Sequence, residues 1–326
     1  MAKTALITWI LWQDLPYLAK LLLEKGYKVY WLMRRYAIPN FYNTDYLGIT
    51  NKIQFITWDL TDECSLINII KTFKPDEVYN LGAQSFVWAS RDLARSTTEA
   101  NSLWVLYMLN AIKLFSPLTK FYQASTSEMF GNNHDNGIQT EETPFHPRSP
   151  YAISKLYSYW MTNNFKESYW MFCCNWILFN HESPIRWLDF VTRKITDWIA
   201  KIKFGQAEDI KLGNLESKRD RWFAWDYVEA MWMMLQKEKP DNYLISTWET
   251  HSIRDFLEIA FNYAGIPDRE KYVKIDPSFA RPAELFVLKG SSEKAKKELW
   301  RESKVKFKEL VEMMMEADLR RYAESE

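Results

Sequence analysis

Glycine is scarce in this sequence. At the usual ~7% a chain of this length carries roughly 23 glycines, and these 326 residues hold 9. Cysteine and histidine are few as well, at 3 and 4. Cys64, Cys173 and Cys174 are odd in number and include an adjacent pair, and no Cys-x-x-Cys occurs. Neither a disulfide framework nor a metal site is therefore expected. Net charge is zero, with 42 Lys+Arg against 42 Asp+Glu. That excludes a chain-wide basic footprint for nucleic acid or an anionic membrane, while leaving room for a local arginine pocket. No stretch approaches the ~20 apolar residues of a membrane span, and the run Thr4–Ile10 is too short for a secretory leader. The expectation is a cytoplasmic protein with no nucleic-acid or membrane partner.

What is present is a globular composition, 47% hydrophobic, with an unusual 16 tryptophans. Short β-type runs alternate with helical patterns: strands at Thr4–Thr8, Lys28–Met33, Ile53–Thr57, Glu77–Asn80, Lys120–Ala124 and Met171–Leu178. Helices are expected near Tyr17–Glu24, Glu63–Phe73, Thr98–Leu114 and Ser154–Phe165. This is the signature of an α/β fold with a doubly wound, Rossmann-like parallel sheet. Beyond residue 180 the alternation loosens into helices near Phe190–Lys203, Tyr227–Glu238, Ile253–Ala264 and Phe307–Tyr322. Residues 1–178 read as a nucleotide-binding domain, and 179–326 as a smaller, partly interleaved substrate region.

In such folds the first strand feeds a glycine-rich turn, because any Cβ blocks the approach of a pyrophosphate to the next helix. Here the turn reads Trp9-Ile10-Leu11-Trp12-Gln13-Asp14-Leu15-Pro16, without glycine. The second strand leads into Arg34-Arg35, which suit the 2′-phosphate of NADP where an acidic residue would suit NAD. Asp59-Leu60 follows the third strand, where a short carboxylate meets an adenine. Leu81-Gly82-Ala83-Gln84-Ser85 follows the fourth, at the sheet edge where these folds bind ligands.

Tyr151 and Lys155 stand one helical turn apart on one face. An ammonium beside a phenol favours phenolate and draws the tyrosine from near 10 toward working pH. Roughly one Tyr-x-x-x-Lys is expected by chance in a chain this rich in tyrosine; its place after Pro147-Arg148-Ser149-Pro150 gives it weight. Ser125-Thr126-Ser127-Glu128, past the fifth strand, reads as a helix N-cap. It also reads as a hydroxyl that bonds substrate (Thr126) and a second acid/base (Glu128).

On these strings the chain resembles the extended short-chain dehydrogenase/reductases and, among them, the GDP-mannose 4,6-dehydratase family. The resemblance covers essentially the whole length. It is carried by Tyr122-Gln123-Ala124-Ser125-Thr126-Ser127-Glu128-Met129-Phe130-Gly131, by Pro147 to Lys155, by Leu178-Phe179-Asn180-His181-Glu182-Ser183-Pro184 and Phe190 to Ile195, and by Leu212-Gly213-Asn214-Leu215 and Arg281-Pro282-Ala283-Glu284. It implies a hydro-lyase with resident NADP that turns GDP-mannose into a 4-keto-6-deoxy sugar. Tyr151, aided by Lys155 and Thr126, would deprotonate the sugar 4-hydroxyl, and Glu128 would take the proton at carbon 5. Trp9, Trp12, Gln13, Asp14, Arg34, Arg35, Asp59, Leu60, residues 81–85, His181 and Arg186 would line the cofactor. Ser85, Asn180, Lys194, Arg219, Arg281 and Glu284 would hold the substrate, arginine gripping the diphosphate bidentately. A homodimer or homotetramer is implied as well. Two other readings stand beside it: a different nucleotide-sugar dehydratase or epimerase, and a cofactor-free scaffold of the same fold.

The chain departs from the family where the family has glycine. Tryptophan occupies residues 9, 12, 31, 58, 170, 176, 187, 222 and 225, and by the same pattern 104, 248 and 300. A second swap puts arginine where the family has tryptophan, at Arg221 in Arg219-Asp220-Arg221-Trp222 and at Arg301. At ~1–3 kcal/mol for each strained site, a dozen such changes exceed the ~5–15 kcal/mol stability of a domain. The pattern points to a gene whose UGA codons mean glycine, written out with a table in which they mean tryptophan. The arginine swaps would need a second reassignment, and Leu15 and Pro16 stay unexplained.

Overall fold

The computed structural model describes residues 2–8, 13–33, 40–58, 62–132, 137–279, 287–299 and 304–324. Trp9, Trp12, Arg34, Arg35, Asp59, Leu60, Arg281 and Glu284 lie outside the described residues, as do Trp300 and Arg301.

Apolar runs such as Ala5-Leu6-Ile7 are buried on both faces, as strands covered by helices on each side must be. The strands are β1 (Thr4–Thr8), β2 (Lys28–Met33), β3 (Gln54–Thr57), β4 (Glu77–Asn80), β5 (Lys120–Thr126) and β6 (Cys173–Leu178). With β11 (Tyr243–Ile245) they form one parallel sheet of seven in the order β11-β6-β5-β4-β1-β2-β3. The order reverses between β1 and β4, the crevice where doubly wound folds bind ligands.

One face is packed by α1 (Asp14–Glu24) and α8 (Ala224–Gln236), through Leu15, Leu18, Leu22, Val228 and Met231. The other carries α3 (Glu63–Phe73), α5 (Trp104–Phe115) and α6 (Pro150–Tyr169), through Leu66, Ile70, Val105, Met108, Ile112 and Phe165. Short α2 (Tyr42–Tyr46) and α4 (Ala94–Thr98) lie in the connections.

The C-terminal region has its own core, in which Ile195, Ile199, Phe256, Phe261, Val311 and Met315 join α7 (Val191–Lys203), α9 (Ile253–Ala264) and α12 (Phe307–Ala323). Small ladders pair β7 (Asn180–Glu182) with β10 (Arg221–Phe223), and β8 (Ile210–Leu212) with β13 (Val273–Ile275). A third ladder holds β9 (Lys218–Arg219) between β12 (His251–Ser252) and β14 (Val287–Leu288). Helices α10 (Arg269–Tyr272) and α11 (Glu293–Leu299) complete the described elements.

Three differences from the sequence reading bear on function. Strand β5 continues two residues further than expected, to Thr126, because β6 stays beside it as far as Leu178. The expected single helix Thr98–Leu114 is interrupted by a π-helical stretch over Glu99–Leu103. Its cause is Asn101, which accepts from the Gln84 amide at 2.8 Å and donates to the Gln84 carbonyl at 3.1 Å and to Ser154 Oγ at 3.0 Å. The third difference is β11, a strand from the C-terminal half that completes the main sheet and was not expected.

The tryptophans divide. Trp31, Trp104, Trp176 and Trp222 are fully buried, and Trp104 and Trp222 donate to Asn80 and Asp226. Among the described residues the buried Nε1 atoms of Trp58 and Trp176 have no acceptor. Trp170, the C-cap of α6, has φ 52°, and Trp248 has φ 70°. Both sit in the left-handed region that glycine fills without strain.

Candidate active site

A cavity of about 470 Å³ opens at the C-terminal ends of β4, β5 and β6 and is closed on its far side by the C-terminal region. The elements that form the sheet also aim its functional side chains. Helix α6 begins at Ser149, whose hydroxyl accepts from Ala152 N at 3.1 Å, with Pro150 in its first turn. Tyr151 and Lys155 are thereby fixed in the first two turns, both buried and both on the cavity wall. Thr126 ends β5 and caps a 3-10 turn over Ser127–Phe130, accepting from Glu128 N at 3.3 Å. The N-cap reading of this string and its place at the site thus describe the same residues, and Thr126 and Glu128 share the wall with Tyr151 and Lys155.

The expected ammonium–phenol pairing is not how Lys155 is held. Its Nζ donates to the Ala124 carbonyl at 2.8 Å, and burial pushes it down to about 7. Tyr151 is pushed up to about 12, first by burial. A hydrogen bond with Thr126 opposes that rise, the Glu128 charge adds to it, and the Arg186 charge opposes it. With protein groups alone, burial keeps the phenol protonated near pH 7, and the lysine meets a carbonyl rather than the phenol.

Asp14 opens α1 and also faces the cavity. Its Oδ2 is 2.6 Å from His181 Nε2, and its buried Oδ1 has no hydrogen-bond partner among the described residues. The other ring nitrogen of His181 lies 2.8 Å from the Phe179 carbonyl, and the ring stacks on Tyr227. Gln13 is turned away from the cavity: its Nε2 donates to the His181 carbonyl at 2.5 Å, and its Oε1 accepts from Ser183 at 2.7 Å. On the opposite wall, Arg186 pairs with Glu182 at 3.2 Å and lies over the Phe190 ring. Lys194 donates to the Lys211 carbonyl at 2.8 Å and lies over Phe279; burial lowers its pKa.

Of the residues expected from sequence, Asp14, Leu81, Ala83, Ser85, Thr126, Glu128, Tyr151, Lys155, Asn180, His181, Arg186, Lys194 and Arg219 line this one cavity. Gln13, Gly82 and Gln84 stand behind its wall: Gly82 N donates to Thr8 Oγ1 at 3.0 Å, and Gln84 Nε2 to the Phe86 carbonyl at 3.1 Å. Sequence reasoning passed over Glu182 and Arg221. The Glu182 carboxylate is buried between Arg186, Arg221 (4.0 Å) and the Thr192 hydroxyl (2.6 Å). An acidic residue closing β7, followed by Arg186 four residues on, was the signal available for it. Among the described residues no group of three His, Cys, Asp or Glu side chains is placed to hold a metal ion, and the three cysteines are free thiols.

A profile of the family described as GDP-mannose 4,6 dehydratase matches residues 6–314. The chain is 45% identical to a GDP-mannose 4,6 dehydratase of Drosophila melanogaster, over 97% of this chain and 86% of that one. It is 46% identical to GDP-mannose 4,6 dehydratase 2 of Arabidopsis thaliana, over 97% and 87%. Its backbone is similar to a dTDP-glucose 4,6-dehydratase of Bacillus anthracis in complex with NAD, with a TM-score of 0.84 and 19% identity over 99% and 98% of the two chains. It is also similar to RMD of Pseudomonas aeruginosa complexed with NADPH, with a TM-score of 0.80 and 20% identity over 98% and 100%.

Proposed function

From the premise that this chain belongs to the GDP-mannose 4,6-dehydratase family, we propose how its own residues divide the conversion of GDP-mannose to GDP-4-keto-6-deoxymannose, with NADP as the resident cofactor. One observation carries the reading: Thr126, Glu128, Tyr151 and Lys155 converge on a single cavity at the C-terminal ends of the central strands.

The described residues fit a nicotinamide nucleotide. The unpartnered Oδ1 of Asp14 at the start of α1 offers a buried acceptor, and Leu81 and Ala83 leave a close, mostly apolar approach to β4. When bound there, the cofactor supplies reversible hydride transfer. The protein's part is proton work. Tyr151 Oη receives the proton of the sugar 4-hydroxyl, and Thr126 Oγ1 orients that hydroxyl. Lys155, held on the Ala124 carbonyl one helical turn from Tyr151, is the cation that the family pattern assigns to favour the phenolate once cofactor and substrate are bound. Glu128 removes the carbon-5 proton once carbon 4 is a ketone and passes it to the departing 6-hydroxyl, which leaves as water; Tyr151 then returns its solvent-exchangeable proton to carbon 5, so both residues end as they began. Arg219 and Lys194 gather the diphosphate, with Asn180 and Ser85 lining the same cavity and Arg281 and Glu284 assigned by family pattern, while His181 and Arg186 face the cofactor. Turnover in D₂O tests the scheme: a product carrying one deuterium at carbon 5 is expected, and a product without it overturns the role of Glu128.

The preference for NADP rests on Arg34 and Arg35, whose charges suit a 2′-phosphate. Mass spectrometry of the nucleotide released on denaturation should find NADP, and NAD would overturn the preference. We place the protein in the cytoplasm. Among the described residues no helix is long and apolar enough to cross a membrane, and a nucleotide-sugar pool supplies the substrate. We further assign it a homodimer or homotetramer, which light scattering of the purified protein checks. Ile153 and Trp160, each 58% exposed on α6, support self-association.

We also propose that the tryptophans in family glycine positions are glycines in the protein its own cell makes. The glycine shortfall and the left-handed backbones of Trp170 and Trp248 support this, as do the unpaired buried indoles of Trp58 and Trp176. Peptide mass spectrometry of the native protein should read glycine at these positions; tryptophan at residues 170 and 248 would end the proposal.

A further inference from the structure

Among the described residues Lys155 has one hydrogen-bond acceptor, the Ala124 carbonyl, and that oxygen is shared. Gln123 Nε2 donates to it at 2.9 Å, as Lys155 Nζ does at 2.8 Å, so both lone pairs are occupied. The sharing follows from strand lengths. The β4–β5 register ends at Asn80 opposite Gln123, so the Ala124 carbonyl lies past the last residue of β4.

Behind Gln123 runs a buried chain of hydrogen bonds. Asn80 Nδ2 donates to Gln123 Oε1 at 2.7 Å, Thr8 Oγ1 donates to Asn80 Oδ1 at 2.6 Å, and Gly82 N donates to Thr8 Oγ1 at 3.0 Å. Thr8, Asn80 and Gln123 are each 1% exposed or less. The chain has one possible polarity. The Trp104 indole, which only donates, meets the same Asn80 atom at 3.0 Å, so that atom is the oxygen; the Thr8 hydroxyl therefore donates to it, which fixes both amide orientations and aims the Gln123 N–H at Ala124. Nothing in this arrangement touches the cavity except its last member, since the Gln123 side chain is not on the wall.

We propose that Gln123 is a positioning residue for Lys155: it holds one lone pair of the Ala124 carbonyl, limits the lysine to the other, and so fixes both the place of Nζ and its readiness to lose a proton. The inference rests on the assignment of Lys155 to the reacting wall. Burial alone accounts for the lowered Lys155 pKa. Tyr151 on its own helix, Glu128 after β5, Asp14 on α1, and His181, Glu182 and Arg186 from the β7 segment share the cavity, and none of them displaces it. Acceptor strength at the one carbonyl is therefore the protein's remaining control over that proton.

Removing the Gln123 N–H frees the carbonyl for the ammonium and favours the charged lysine. The test is a ¹³C NMR titration of Lys155 Cε in lysine-labelled Gln123→Met protein, assigned against Lys155→Met. Its midpoint should rise by roughly half to one pH unit, a threefold to tenfold change in the protonation equilibrium, the scale of one hydrogen bond. In turnover assays the basic limb of kcat should move by the same amount, while KM for GDP-mannose changes less than twofold. Gln123→Glu, which keeps the shape and replaces the donor with an acceptor, should raise the midpoint further; it carries the test if the methionine variant does not fold. A midpoint within 0.2 pH unit of the parent in a folded variant would overturn the proposal and leave Gln123 a structural residue. The titration needs no substrate, so failure of the parent protein to turn over GDP-mannose would count against the proposed function and not against this inference.

Discussion

Replacing Lys155 with methionine should abolish turnover and make the folded chain more stable. The lysine is 3% exposed and its ammonium is held at about 7 against an ordinary 10.5. At 1.36 kcal/mol per pH unit, that depression corresponds to roughly 5 kcal/mol of cost to the charged form in the folded state. Below pH 7 the folded and unfolded chains both carry the proton, and the folded chain bears the whole cost. Between about 7 and 10.5 only the unfolded chain keeps it, so stability rises with pH; above 10.5 neither does. Methionine fills the stem's space without the charge and forgoes one hydrogen bond of about 1 kcal/mol. The variant should therefore be more stable by roughly 3–4 kcal/mol at pH 6, with the advantage shrinking by about 1.4 kcal/mol per pH unit between pH 7.5 and 9.5. Urea denaturation of both proteins across pH 6–9.5, read as a difference, measures this. Parallel stability curves, or a variant less stable at pH 6, would refute the argument that the site keeps a desolvated charge at a cost to folding.

Three further outcomes are expected. Tyr151→Phe should lower kcat by about 10²–10⁴-fold with the fold intact, the scale of a lost acid/base group; a thermal melt beside the kinetics separates the two effects. Asp318→Asn should destabilise the chain by about 3–5 kcal/mol, because Arg193 and Arg321 both pair with that fully buried carboxylate; a shift in the denaturation midpoint reads it. Trp170→Gly should stabilise the chain as written by roughly 1 kcal/mol or more, by relieving a left-handed α6 C-cap. A loss of stability would remove that support for glycine there.

Much of this was legible in the residues. The continuous apolar strands, the Pro-Tyr start of α6 and the bounds of α9, Ile253–Ala264, follow from pattern and caps. So does the meeting of Thr126, Glu128, Tyr151 and Lys155, since adjacent strands of a parallel sheet end on the same side. The rest depends on through-space partners. Tyr243-Leu244-Ile245 is too short a run to announce a strand, and is one only because β6 offers an open edge. Asn101 looks like a polar interruption on a helix until Gln84 and Ser154 are placed against it. The high pKa of Tyr151 could not be read from Tyr-x-x-x-Lys, since the spacing tells neither how deeply the phenol is buried nor which oxygen the lysine meets. Gln123 and Asn80, polar residues within strands, look like a solvated face until two neighbouring strands bury them.

Strand β11 also sets the order in which the molecule can be made. Until Tyr243–Ile245 has emerged from the ribosome, β6 presents an unpaired parallel edge of buried residues, Cys173 to Leu178 among them. Such an edge is a template for pairing with another chain. More than sixty residues must be synthesised before it is covered, so the nascent first half has no finished state of its own. A chain stopped short of residue 243 should be captured by chaperones or aggregate, whereas the full-length chain closes its own sheet.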